Sequence, residues 1–149
     1  MAASAAPFQN FLAESLDQVT VPKSGAQAIN QGDLVKIASN LAVPCDTPAT
    51  DVVHGVSMAT SPVSSLGDTL TKISVRRSGI HKFYLPTGTA NYDDPVYLTV
   101  TDAQTVTVSS PGSGAWVVGY CRNIAAVVGG AGVTVPVEIL VSPALKKVP

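Results

Sequence analysis

Charge is scarce in this chain of 149 residues: Asp, Glu, Lys and Arg make up 13%, about half the usual share for a soluble domain. The net charge of -1 excludes a strong attraction to nucleic acid or to an anionic membrane, so neither is expected as a partner. Aromatic residues amount to 5%, and the only cysteines are Cys45 and Cys121. Two cysteines do not make a disulfide framework in a chain of this length, and both are read as small buried hydrophobes in a reducing cytoplasm. No apolar run approaches the roughly 20 residues of a membrane-spanning helix, and Gly129, Gly130 and Gly132 interrupt the nearest candidate. The opening MAASAAPFQNF has neither a basic leader nor a continuous apolar core, so no secretory signal is read and the chain is expected to stay in the cytoplasm where it is made. His54, His81, Cys45 and Cys121 stand singly, without the close pairs that metal sites use. No metal or cofactor is expected.

What is present is strand grammar. Short β-branched and aromatic runs are separated by Gly, Pro, Asn and Asp at intervals of about 8 to 12 residues, the pattern of an all-β sandwich or barrel. Gly32-Asp33 precedes Leu34, Val35 and Ile37; Ser39-Asn40 turns the chain, and Leu41 and Val43 return it. Residues 52–58 read as the next strand, followed by a Ser/Pro loop. Residues 66–100 then read as an antiparallel meander, with breaks at Ser78-Gly79, Pro86 to Gly88 and Asp94-Pro95. A hairpin over residues 101–109 follows, and residues 116–124 and 133–141 are the two most apolar strands, joined by a Gly-rich linker. The expected fold is all-β, a barrel-like β-sandwich of about nine or ten short antiparallel strands spanning residues 26–142. Closure is favoured because open strand edges are templates for unwanted pairing.

Ahead of that domain, residues 1–25 read as an N-terminal arm and connector, and residues 143–149 as a C-terminal tail. Phe8, Phe11, Leu12, Leu16 and Val19 recur at three- and four-residue spacing behind Pro7, which allows a short amphipathic helix. A stripe of this kind has to be covered, by the chain's own core or by a neighbouring subunit.

Enzymatic signals are thin. Gly55, Ser57 and Ala59 nearly match a nucleophile elbow, but Thr60-Ser61-Pro62 follows where the elbow needs a helix. The glycine clusters at residues 112–114 and 129–132 open no helix and lack the Lys-Ser/Thr pair of a phosphate loop. Asp93 and Asp94 are adjacent, so in an extended segment they face opposite ways; they are read as turn residues ahead of Pro95. No catalytic residue is assigned. The one charge cluster is Lys72, Arg76, Arg77 and Lys82, with no acid between residues 69 and 91. It is either a solvated face or a docking patch for an acidic protein surface, and with Phe8, Phe11, Leu12 and Leu16 it makes up the candidate interaction residues.

The order of these segments resembles the decoration, or cement, proteins on the capsids of tailed bacteriophages. The residues that carry it are Ile29-Asn30-Gln31-Gly32-Asp33-Leu34-Val35, His54-Gly55-Val56-Ser57, Leu66-Gly67-Asp68-Thr69-Leu70 leading into Ser78-Gly79-Ile80, Asp94-Pro95-Val96-Tyr97-Leu98, and Val118-Gly119-Tyr120. The match covers roughly residues 26–141 and departs from the family at Asp93, where Gly usually precedes Asp-Pro. The resemblance implies a structural virion protein on the outer capsid surface, not an enzyme. It would bind the major capsid protein, stabilise contacts between its subunits, and assemble with itself as a homotrimer first and a dimer second. The alternative kept open is a β-rich head-fibre or tail module binding a host-surface carbohydrate or receptor, which should place several exposed aromatics in one loop, against an aromatic content of only 5%.

Overall fold

The computed structural model describes residues 18–63 and 72–140, and the candidate arm residues Phe8, Phe11, Leu12 and Leu16 lie outside them. The described residues form an all-β structure with twelve strands: β1 (Gln18–Pro22), β2 (Leu34–Ala38), β3 (Leu41–Pro44), β4 (Gly55–Ser57), β5 (Lys72–Arg76), β6 (Ser78–Tyr84), β7 (Thr89–Ala90), β8 (Pro95–Leu98), β9 (Val106–Thr107), β10 (Val117–Cys121), β11 (Val127–Val128) and β12 (Thr134–Leu140). They make two five-stranded antiparallel sheets and a two-stranded ribbon of β7 and β11. Among the described residues no helix is long and apolar enough to cross a membrane.

Two strands differ from the sequence expectation in kind. Residues 21–25 read as a connector, yet β1 pairs with β5 over its whole length, from Gln18 opposite Arg76 to Pro22 opposite Lys72. Val19 and Val21 alternate with the more exposed Gln18, Thr20 and Pro22, and Pro22 is tolerated because β1 lies at a sheet edge. The apolar spacing that runs from Phe8 to Val19 masks this two-residue period. Within the Gly-rich linker, Val127 and Val128 pair with Ala90 and Thr89, a ribbon too short to show periodicity. The turn at Ser39-Asn40 has φ of 51° and 66°, the positive values a two-residue hairpin requires, with Ala38 opposite Leu41.

The two large sheets share one topology. Their strand orders, β1-β5-β4-β2-β3 and β6-β12-β10-β8-β9, match strand for strand, so residues 18–76 and 78–140 are two copies of one β unit. Hydrogen bonds match as well. In one copy Asp33 accepts the Asn30 amide at 2.8 Å, and in the other Asp94 accepts the Asn91 amide at 2.8 Å. The Ser57 and Cys121 amides reach the carbonyls of Asp33 and Asp94, each at 2.9 Å. Met58 and Arg122 likewise donate to Ser74 and Pro136, each at 2.9 Å. Gly55 and Gly119 occupy equivalent places against the neighbouring strand: a Cβ would lie 2.5 Å from the Arg76 carbonyl oxygen in the first and 2.2 Å from that of Glu138 in the second. Asp93 stands at the position of Gly32 and takes the same left-handed backbone, φ 71° against 93°, so the departure from Gly in the turn leaves its geometry intact.

The main core binds the copies together. Leu34, Cys45, Val53 and Val56 of the first pack with Phe83, Val96, Val118 and Ile139 of the second. A smaller cluster of Ile29, Val35, Ala42, Ile73 and Val75 fills the first copy. Arg77 alone separates β5 from β6, and it has the two ends of the described chain beside it: Gln18 lies opposite Arg76, and Leu140 opposite Ser78.

Candidate docking site at the junction of the two sheets

Of the four basic residues, the structure brings Arg76 and Arg77 together where the chain leaves one sheet for the other. Lys72 and Arg76 project from the outer side of β5, whose Ile73 and Val75 are buried, and four residues of strand put them about 13 Å apart. Lys82 is exposed on the outer side of β6, in the second sheet. The run therefore makes a local pair at the junction with one cation on either side of it.

His54 joins the pair, which the sequence did not show. Because Gly55 has no side chain, β4 settles against the Arg76 backbone, and Val56 pairs with Arg76. The preceding residue, His54, thus comes close to Arg77. Burial, and then the Arg77 charge, lower the His54 pKa below its ordinary 6.5, so the imidazole is neutral at neutral pH. The Nε2 of His54 and the Nε of Arg77 are both buried and have no hydrogen-bond partner. A buried polar nitrogen without a partner is costly, and these two lie at the one place where the chain passes between the sheets.

Lys36, by contrast, is matched within the first copy. Lys36 lies between Asp46 and Asp51, bonded to the latter at 2.9 Å. Burial draws its pKa down, but the hydrogen bonds it donates to the Asp46 and Asp51 carboxylates outweigh this and the net shift is upward. Asp51, itself buried, also accepts the amides of Asp46 and Thr47 at 2.8 and 2.7 Å. This loop forms one wall of an open groove of about 590 Å³ whose other side includes Leu98, Val100 and Pro111.

A second grouping escaped the sequence. Arg122 pairs with Asp93 and Glu138 and lies over the rings of Tyr92 and Tyr120, 5.5 and 6.0 Å from their centroids. Tyr120 and Trp116 pack in turn on Tyr97 and Val117. Four of the few aromatics thus share one region, drawn from separate strands and turns, and only cross-strand register could have disclosed it.

The near-match to a nucleophile elbow is a strand. Ser57 is buried in β4 and donates its hydroxyl to the Ala59 carbonyl at 2.7 Å. Cys45 and Cys121 are free and buried, and burial pushes the Cys45 thiol pKa up, away from the reactive thiolate. Among the described residues no group of three or more His, Cys, Asp or Glu side chains could hold a metal ion. Comparison with family models, with characterised proteins and with solved structures finds no match to this chain.

Proposed function

We propose that the protein is a decoration protein of a tailed-bacteriophage head, a non-enzymatic module that binds the outer face of the major capsid protein and stabilises contacts between its subunits. The supporting observation is the convergence at Arg77. The Nε of Arg77 and the Nε2 of His54 are buried without partners, and Gln18 and Leu140, the two ends of the described residues, pair on either side of it. In this reading Phe8, Phe11, Leu12 and Leu16, which precede Gln18 in the sequence, supply an apolar contact and the basic junction a cationic one to an acidic capsid surface. Binding only the assembled shell would stabilise it by mass action. The test is co-sedimentation of Arg77→Ala with emptied heads across a salt series. Weaker attachment with a flatter salt dependence is expected, since exposed charge attraction is screened; wild-type binding at every salt concentration would remove the junction from the docking surface.

A second reading, a module for a host-surface carbohydrate or receptor, is favoured by the Tyr92, Tyr120 and Arg122 grouping. Glycan-array binding that is lost in Tyr92→Ala, with heads left uncoated, would select it.

A further inference from the structure

The two copies meet through unlike parts. The first copy offers an edge, the turn and strand start at residues 31–34, and the second docks on it the turn between β8 and β9, residues 99–105. The Leu34 amide donates to the Ala103 carbonyl at 2.8 Å. The Gln104 side-chain amide donates to the Asp33 carboxylate at 2.8 Å and to the Gln31 carbonyl at 3.3 Å. Asp102 holds this turn in shape by accepting the Gln104 amide and the Thr105 hydroxyl, each at 2.8 Å. Because the copies are built alike, the molecule carries a second such edge at residues 92–95 and a second such turn at Ser39-Asn40. Neither takes part in the contact, and Tyr92, Asp93, Ser39 and Asn40 are all exposed. A contact between unlike surfaces repeats from molecule to molecule unless something stops it, giving rings or open filaments.

We propose that the chain carries a built-in stop against head-to-tail stacking of its own kind, made at the spare edge by Asp93 and Pro95 and at the spare turn by the brevity of Ser39-Asn40. Pro95 stands where Leu34 does, opposite Tyr120 as Leu34 is opposite Val56, and proline has no N–H to give to an incoming carbonyl. Asp93 stands where Gly32 does. A Cβ at Gly32 would touch the Gln104 side chain at 3.9 Å, so the larger Asp93 side chain, tied to Arg122, crowds the place a docking glutamine would take. Asp94 is also supplied from within its own turn, by the Asn91 side-chain amide at 3.0 Å, the kind of donor that Gln104 brings to Asp33 from the other copy. At the opposite end, the two-residue turn between Ala38 and Leu41 is too short to present the equivalents of the Ala103 carbonyl and the Gln104 side chain. The stacking contact is thereby confined to one occurrence, inside the chain. This stop does not depend on the capsid reading, and it leaves self-association through other surfaces, threefold included, open.

Sedimentation velocity of full-length variants tests it. An edge variant, Asp93→Gly with Pro95→Leu, and a turn variant, with residues 99–105 copied in place of Ser39-Asn40, should each sediment as the wild type does. Combined in one chain, the changes should give a series that grows with concentration, its average mass reaching at least about twice that of the wild type. Gln104→Ala made in the copied turn alone should reverse that growth. If the copied turn prevents folding, a cyclised peptide of residues 98–106 takes its place. It should bind the edge variant at least about tenfold more tightly than the wild type, roughly the worth of one backbone hydrogen bond, with NMR shifts at residues 91–96. A folded combined variant that does not grow, growth in either single variant, growth indifferent to Gln104→Ala, or a peptide that fails to distinguish the edge variant from the wild type would overturn the proposal.

Discussion

His54 carries a pH dependence whose sign follows from its surroundings. Its pKa in the folded protein is below 6.5, while in the unfolded chain it takes up a proton near the ordinary value. Stability from this residue is therefore complete above about 6.5 and declines as the pH falls toward the folded value, because only the unfolded chain binds the proton readily. Thermal unfolding between pH 8 and 5 should show a loss that is smaller in His54→Gln; superimposable profiles would refute it. Gly55 and Gly119 give a second residue-level test. At each, a Cβ would meet a backbone oxygen far inside contact distance, so Gly55→Ala and Gly119→Ala should each cost about 2 kcal/mol or more in urea denaturation. Gly130, whose Cβ would find only the Val133 side chain at 3.5 Å, should change by no more than about 0.5 kcal/mol as Gly130→Ala.

Individual elements show where sequence reasoning succeeds. Turns were legible because their chemistry is local: Gly32, Ser39 and Asn40 fall at breaks with positive φ, whereas the break expected at Ser78-Gly79 lies at Arg77, with Gly79 inside β6. The apolar run at residues 133–141 likewise disclosed β12 and the meander reading β5. The duplication stayed hidden because equivalent positions keep geometry and change chemistry, as when Leu34 and Val56, buried between the copies, correspond to Pro95 and Tyr120 at the outer face of the second sheet. Among the described residues no second sheet covers that face, so a ring with a polar tip and a proline stand there. His54 and Arg122 were invisible for another reason: their partners, Arg77, Asp93 and Glu138, are distant in sequence and meet through register alone. The shared turn predicts that Asp33→Ala and Asp94→Ala are both destabilising, by about 1 kcal/mol for a lost cap. Each also accepts one side-chain hydrogen bond, Asp33 from Gln104 at 2.8 Å and Asp94 from Asn91 at 3.0 Å, but Asp33→Ala should cost more because Asp33 is buried and the Gln104 amide would lose its partner there. Equal losses in chemical denaturation would contradict this ordering.

For the molecule as a whole, the core shared by both copies and the one-residue link at Arg77 predict a single cooperative unfolding transition; two separated calorimetric peaks would show that the copies melt apart. Removing residues 1–16 leaves β1 whole, so the truncated protein should melt as the full chain does and yet fail to coat heads. A much lower melting temperature, or undiminished coating, would count against an arm that reaches outward. The nearness of Gln18 and Leu140 also makes the order in which the strands are strung incidental to the architecture. A short linker could join these ends, and new ones could be opened in the exposed loop at Pro111 and Gly112, leaving every strand with its present neighbours. Such a circular permutant would start in the second copy and finish there, with the first copy threaded intact through its middle.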